Sequence, residues 1–78
     1  MKRYDYSLLR GRIRQIFFTE KIFVNALNEA GTPLSVGAWS NKINNKSDFS
    51  VPEMEGIMNV LDIPKEQIAD YFFTHQYE

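Results

Sequence analysis

Apolar residues recur every three or four positions through most of the chain, and no apolar run is longer than three residues. Such a recurrence places the apolar side chains on one face of an amphipathic α-helix. Runs of three are far too short to cross a bilayer, which takes roughly 20 consecutive apolar residues. The sequence therefore predicts an all-α protein without a membrane span.

The chain is also short, with 78 residues and no cysteine. A domain of this size buries only about 60% of its unfolded surface, so all of its helices must share one core. No disulfide can supplement that core, and a chain without thiols suits a reducing compartment. We therefore expect a single domain over residues 1–78, a cytoplasmic location, and self-association as a further source of stability.

Start and stop signals divide the chain into five predicted helices, the first over residues 7–17. Thr19 is a suitable cap for the second helix, which is predicted to end near Ala30, before a glycine and a proline. Ser35 caps a short third helix over residues 36–44. The apolar face of the first two helices is predicted to comprise Leu9, Ile13, Ile16, Phe17, Ile22, Phe23, Ala26, Leu27 and Ala30.

The fourth helix is predicted to begin at residues 50–53, Ser-Val-Pro-Glu, which read as a capping box. In a capping box the serine oxygen accepts from a backbone amide and the glutamate reaches back to the serine amide. The Asp-Ile-Pro sequence at residues 62–64 ends this helix, and a fifth helix is predicted over residues 65–73. Residues 74–78 are predicted to be a loose tail.

The net charge is −1, but the two halves of the chain differ in sign. Residues 1–46 carry eight Lys or Arg against three acids, a net of +5, and residues 47–78 carry one Lys against seven acids, a net of −6. If the halves segregate in space, one side of the molecule attracts a polyanion. Arg10 and Arg14, one helical turn apart, are candidates for meeting a phosphate together. Charges that merely solvate helix faces would give the same count, so both interpretations stay open.

Catalytic and metal-binding patterns are absent from the sequence. The only histidine, His75, falls in the predicted tail, and no thiol is present to act as a nucleophile or ligand. Glu53 and Glu55 are two positions apart and point to different faces of a helix. The four glycines lack the spacing of a phosphate-binding loop. We therefore expect no enzyme activity, no metal, no cofactor and no small-molecule substrate.

The second and third predicted helices, joined by a short Gly-containing turn, are typical of a helix-turn-helix DNA reader. With Trp39 and Ile43 in the core, the small and polar residues of the third helix face outward. Asn pairs bidentately with an adenine edge, so Asn41 is the best candidate for reading a base. Polar residues that could hold phosphates follow it, namely Lys42, Asn45, Lys46 and Ser47. An ordinary solvent-exposed helix has the same pattern of residues, so the pattern alone does not distinguish a DNA-reading helix from one that only faces solvent.

Four stretches carry a likeness to a known family: YDYSLLRGRIRQIF, TEKIFVNAL, WSNKINNKSDFSVPEMEGIMNVLDIP and IADYFF. The most specific part is residues 39–50, where a core aromatic, a polar run, a Phe and a capping Ser look like the end of a recognition helix and its loop. Through these stretches, from Tyr4 to Phe73, the chain resembles the Cro/repressor-like helix-turn-helix domains of bacteriophages. It resembles more closely the small prophage proteins of Gram-positive bacteria.

The resemblance implies a five-helix, lambda-repressor-like domain that binds double-stranded operator DNA, usually as a homodimer on a two-fold-related site, and represses phage promoters. The residues that it places at base-reading positions are Ser35, Val36, Gly37, Ser40 and Asn41. The residues that it places along the phosphate backbone are Thr19, Lys21, Lys42, Asn45, Lys46 and Ser47.

Two features depart from the family pattern. The segment from residue 28 to residue 34 is longer than the usual link, which predicts that the second helix extends by a turn to Gly31. Val36, Gly37 and Ala38 offer few hydrogen-bonding groups where such proteins read bases. The scarcity of hydrogen-bonding groups at these positions and the acidic second half of the chain favour an alternative function. This alternative is a protein-interaction module of the same fold, such as an antirepressor or antitoxin-like partner. A non-specific DNA-coating role is a third possibility.

Overall fold

In the computed structural model of the protein, residues 4–74 are described, and they form five α-helices and one 3-10 turn. The helices are α1 (Ser7–Phe17), α2 (Glu20–Glu29), α3 (Val36–Ile43), α4 (Val51–Val60) and α5 (Ile68–Phe72), and the 3-10 turn is Lys65–Gln67. The predicted all-α class is confirmed. The predicted fifth helix is shorter than expected, because its first turn closes with a 3-10 bond from the Gln67 amide to the Pro64 carbonyl, at 3.0 Å.

Three helices begin at the predicted caps. The hydroxyl oxygens of Thr19, Ser35 and Ser50 each accept from the amide three residues later, at 3.2, 3.0 and 3.3 Å. Glu53 completes the capping box, because its Oε1 accepts from the Ser50 amide at 2.8 Å. These bonds satisfy amides that have no partner inside the helix, which is why the helix starts could be predicted from sequence.

Three helices end in a left-handed residue, and each end has the bonding of a Schellman motif. Gly31, Asn45 and Asp62 have φ values of +94°, +64° and +55°, after α2, α3 and α4. The amide of the next residue donates to a carbonyl five positions earlier, at 3.0, 2.8 and 2.9 Å respectively. Glycine adopts this conformation freely, and Asn and Asp are the side chains that tolerate it best.

The junction of α1 and α2 is a tight turn centred on Phe18, which has φ 67° and ψ −45°. The Thr19 amide donates to the Phe17 carbonyl at 2.7 Å, which closes a γ-turn of the rare positive-φ kind. The Phe18 side chain is 81% exposed. Phe18 therefore adopts a strained backbone conformation, and its exposed ring gains no burial energy that would offset the strain.

The core lies between all five helices and is rich in aromatic residues. The Trp39 ring packs against Phe23 at 5.3 Å and Phe49 at 5.6 Å between centroids, and Phe49 packs against Phe72 at 5.4 Å. The buried apolar residues are Tyr6, Leu9, Ile13, Phe23, Val24, Leu27, Leu34, Trp39, Ile43, Phe49, Met54, Ile57, Met58, Leu61, Ile63, Tyr71 and Phe72. This single cluster joins α3 to the rest of the molecule.

Of the residues predicted to form the apolar face of the first two helices, three are exposed, namely Ile16, Ile22 and Ala30; Ala69, predicted to face inward on the fifth helix, is exposed as well. The helical spacing predicted the centre of each apolar face correctly, with Ile13 and Phe23 fully buried. The width of the covered stripe depends instead on which helices pack against it. Because α1 packs against α2 and α5, and α2 packs against α1, α3 and α4, the edges of both faces stay open to solvent.

The link between α2 and α3 is held against the body of the protein at Leu34, which is buried. The Asn28 side chain donates to the Leu34 carbonyl at 2.8 Å and accepts from the Leu34 amide at 3.2 Å. The predicted end of the second helix near Ala30 is confirmed, since Ala30 caps α2. The link is therefore ordered, and it fixes where α3 begins.

The two ends of the described chain lie side by side. The Asp5 amide donates to the Thr74 carbonyl at 2.6 Å, and the Thr74 hydroxyl donates to the Asp70 carbonyl at 2.8 Å. Thr74, which was assigned to the predicted loose tail, is therefore held, and residues 75–78, including His75, lie outside the described residues. Between residues 4 and 74, every helix is too short or too polar to cross a membrane.

Candidate nucleic-acid interface

Helix α3 has one buried face and one exposed face, as predicted. Trp39 and Ile43 are only 3% and 5% exposed, so they anchor the helix in the core. The exposed residues of α3 are Val36, Gly37, Ser40 and Asn41. The structure therefore brings four of the five predicted base-reading residues together on one solvent-facing surface, and Ser35 caps the same helix.

The side-chain amide of Asn41 is available to a partner. Its backbone carbonyl accepts from the Lys46 amide at 2.8 Å, but its side chain makes no hydrogen bond to another residue within the described range 4–74. An asparagine amide offers a donor and an acceptor in one plane, which matches the major-groove edge of adenine. Asn41 therefore has the chemistry and the exposure that its predicted role requires.

The neighbouring polar residues are partly engaged inside the protein. Asn44 donates to the Ser40 carbonyl at 2.8 Å, and its Oδ1 accepts from Arg10 at 3.2 Å. The Ser35 oxygen accepts from the Ala38 amide and so serves as the helix cap. Each serine hydroxyl keeps its own proton for donation to a ligand.

An open groove of about 310 Å³ lies between α2 and α3. Lys21, Val36 and Ser40 line it, and all three are exposed. The buried residues Trp39 and Ile43 also line it. The groove therefore combines a cation from α2 with two predicted base-reading residues of α3.

Two of the predicted phosphate contacts are engaged within the fold. The Lys42 ammonium lies 2.6 Å from Glu53 Oε1, and the two side chains are 17% and 18% exposed. The Asn45 side chain accepts from the Tyr4 amide at 2.9 Å and donates to the Tyr4 carbonyl at 3.0 Å. Both side chains therefore hold α3 to its neighbours.

The Lys42–Glu53 pair also determines the ionisation of Glu53. Partial burial acts to raise the pKa of this carboxyl. The hydrogen bonds from Lys42 and from Ser50, together with the charge of Lys42, outweigh burial and hold the pKa below its usual value. Glu53 is therefore an acceptor for both the α3 lysine and the α4 cap.

The other predicted phosphate contacts are on the surface. Lys21 lies in the first turn of α2, two positions after the capping residue Thr19, and both side chains are exposed. Lys46 and Ser47 follow the end of α3 and are also exposed. These four residues therefore lie beside the first turn of α2 and beyond the last turn of α3, where charge or hydroxyl groups can meet a phosphate backbone.

Sequence reasoning missed Glu20, whose carboxylate connects three helices. Its Oε1 accepts from the Trp39 indole N–H at 2.9 Å, and its Oε2 lies 3.6 and 3.7 Å from guanidinium nitrogens of Arg10 and Arg14. The two arginines were predicted to meet a phosphate, but in the structure they flank this carboxylate. The missed contact spans 19 positions, so no local spacing pattern indicates it.

Comparison with known families gives one result. The family model described as "Protein of unknown function (DUF739)" matches residues 2–75. The chain belongs to the DUF739 family. No curated protein is significantly similar to it.

The exposed face of α3 offers this DUF739 chain three kinds of contact. Asn41 and Ser40 can form hydrogen bonds, and Val36, which is 54% exposed, can pack against a methyl group. Gly37 allows a close approach of the backbone, because a Cβ at this position would meet nothing within 4 Å. This set fits the edges of base pairs in a major groove.

Proposed function

We propose that this protein is a sequence-specific DNA-binding transcriptional regulator, a Cro-like repressor of phage or prophage origin with a Cro/repressor-like fold. It occupies operator DNA with α3 in the major groove, as a homodimer, and so excludes polymerase. The observation that carries the proposal is the exposed face of α3, where the Asn41 amide has no partner among residues 4–74 while Trp39 and Ile43 fix the opposite face in the core.

The roles of the predicted residues divide according to their contacts. Ser35, Val36, Gly37, Ser40 and Asn41 meet base edges, with Asn41 as the main reader. Thr19, Lys21, Lys46 and Ser47 follow the phosphates. Lys42 and Asn45 hold α3 in place, because their polar groups are engaged by Glu53 and Tyr4.

The experiment that tests the proposal is selection of bound duplexes from a randomised DNA library, first at low and then at near-physiological salt. We expect enrichment of an inverted repeat whose half-sites lie about 10 base pairs apart, centre to centre. DNA retained at low salt without enrichment would instead support a coating role. Retention of no DNA at either salt would overturn the proposal.

Variants on the selected duplex separate base reading from phosphate contact. Asn41→Ala is expected to cost about 1–3 kcal/mol on the selected duplex and little on random DNA, because only a base contact is lost. Lys46→Ala is expected to weaken binding to all sequences and to lower the salt slope by about one unit. Titrations of both duplexes over a range of salt measure the two effects.

Asn59→Ala is the matched control for these variants, since Asn59 is an exposed asparagine on α4. It should leave both affinities unchanged. An equal loss on selected and random DNA from Asn41→Ala and Lys46→Ala would contradict the assignment of Asn41 as a base reader.

A second candidate is the protein-interaction module of the same fold. The observation that favours it is the exposure of four acidic residues on or near α4 and α5, namely Glu55, Asp62, Glu66 and Asp70. In that case a basic protein partner would bind there, and random duplex DNA would bind feebly even at low salt. Charge reversal at Glu66 would then abolish the interaction, whereas Asn41→Ala would not.

A further inference from the structure

One carboxylate, that of Glu20, contacts the helices on both sides of its own. Glu20 is the first residue of α2, and its side chain is 23% exposed. One oxygen accepts from Trp39 of α3 at 2.9 Å, and the other lies between the guanidinium groups of Arg10 and Arg14 of α1. Glu20 therefore links α2 to both of its neighbours, α1 and α3, through polar contacts.

The contact with Trp39 constrains the rotation of α3 about its axis. The indole ring is held between Phe23 and Phe49, and a buried indole N–H needs an acceptor. Glu20 supplies that acceptor. Because Asn41 lies two positions further along the same helix, a rotation of α3 about its axis that carries the indole away from Glu20 also turns the Asn41 side chain.

A second contact fixes the far end of α3. Arg10, which lies 3.6 Å from Glu20 Oε2, also donates to Asn44 Oδ1 at 3.2 Å. Asn44 is the C-cap of α3. The carboxylate therefore reaches the middle of the helix directly and its end through Arg10, whereas the link from α2 fixes only the start of the helix, at Leu34.

A carboxylate beside Lys21, a predicted phosphate contact, opposes the attraction of DNA. The Glu20 carboxylate at the groove therefore does not serve to increase the affinity for DNA, and it needs another role. We propose that Glu20 is a positioning residue that sets the orientation of α3 and so the sequence selectivity of the interface. This inference rests on the proposed function.

The test compares four variants by their affinity for the selected duplex divided by their affinity for random duplex. Glu20→Ala and Trp39→Phe each remove one side of the hydrogen bond, and each is expected to lower this ratio at least about tenfold. Glu20→Gln keeps an acceptor for the indole and should retain the ratio within about threefold. Glu29→Ala removes the same charge from the exposed end of α2 and should leave the ratio unchanged.

A readout without DNA accompanies the test. The chain has a single tryptophan, so its indole N–H gives one signal in a nitrogen-15 NMR spectrum. In Glu20→Ala this proton is expected to exchange faster with solvent, and in Glu20→Gln it should stay protected. The double variant Glu20→Ala/Trp39→Phe should lower the affinity ratio by less than the product of the two single effects, because both changes remove the same Glu20–Trp39 hydrogen bond.

The outcomes separate the two proposals. If the wild-type protein selects a sequence and Trp39→Phe keeps the ratio, the role of Glu20 is wrong and the proposed function stands. The same holds if the indole proton is equally protected in Glu20→Ala. If the wild-type protein selects no sequence, both proposals fail. If Glu20→Ala does not fold, the other two variants still test the proposal. It is supported when Glu20→Gln keeps the ratio of the two affinities and Trp39→Phe lowers it.

Discussion

At the scale of single residues, Gly56 of α4 has the least room for a side chain. A Cβ at this position would overlap Thr32 Oγ1 and lie 2.9 Å from Thr32 Cβ. Thr32 belongs to the link between α2 and α3, so the missing side chain lets this link lie directly on α4. By contrast, a Cβ at Gly11 of α1 would meet nothing within 4 Å.

The two glycines therefore predict opposite effects of the same substitution. Gly11→Ala should stabilise the protein by up to about 1 kcal/mol, because alanine is the better helix former. Gly56→Ala should destabilise it by about 1–3 kcal/mol, because the overlap with Thr32 outweighs that gain. Urea denaturation of the two variants measures both changes, and stabilisation by Gly56→Ala would contradict the packing described for the link.

Phe18 gives a second prediction at this scale. Its positive φ is strained for a phenylalanine, and its exposed ring contributes little to the core. Phe18→Gly should therefore raise the free energy of unfolding by about 1 kcal/mol, since glycine adopts the turn without steric cost. Phe18→Ala removes the ring but keeps a Cβ, so it serves as the control and should give no such gain. Thermal and urea unfolding compare the two.

At the scale of elements, the Lys42–Glu53 pair joins the end of α3 to the start of α4. Because the pKa of Glu53 is lowered in the folded protein, its stabilising contribution is complete above the unfolded value of 4.5. The contribution is lost as the pH falls through the lowered folded value. The junction is therefore expected to weaken in acid.

Glu53→Gln tests this pH dependence. The difference in unfolding free energy between wild type and Glu53→Gln should be largest near about pH 7 and should shrink below about pH 4. Glu55→Gln, on the same helix but 52% exposed at its side chain, is the control and should show a smaller change. A difference that stays constant with pH would show that Glu53 does not ionise differently in the folded protein.

The same elements show what the sequence can predict. The caps at Thr19, Ser35 and Ser50 were correct because each bond lies within four residues of chain. The outward face of α3 was also correct, because Trp39 and Ile43 define it by spacing. The ion pair of Lys42 with Glu53 was missed, and so were the two hydrogen bonds between the Asn45 side chain and the Tyr4 backbone. Both contacts depend on how distant segments of the chain pack.

At the scale of the whole molecule, the described residues 4–74 span 36 × 26 × 23 Å. Half-sites one turn of DNA apart are separated by about 34 Å. Two copies side by side fit this spacing when one of the two shorter dimensions lies along the duplex, because the longest dimension exceeds it. The proposed homodimer on a two-fold-related site therefore requires the longest dimension to lie across the duplex.

We accordingly predict that two chains bind each selected duplex. Sedimentation velocity of the complex should give the mass of one duplex and two chains, and a duplex with one half-site scrambled should bind more weakly. One chain bound to an intact duplex would contradict the dimer and leave base reading by α3 in place.

The bond between the Asp5 amide and the Thr74 carbonyl has a consequence for the covalent chain. Since the two segments already touch, a short linker between them would close the backbone into a ring without distorting the core. A ring has fewer unfolded conformations, so closure favours the folded state. New ends could then be opened in the exposed residues 46–48, which would make α3 the last element of the chain. If the proposed function holds, the rearranged chain should select the same duplex, because α2 and α3 keep their arrangement in space although their place along the chain has changed.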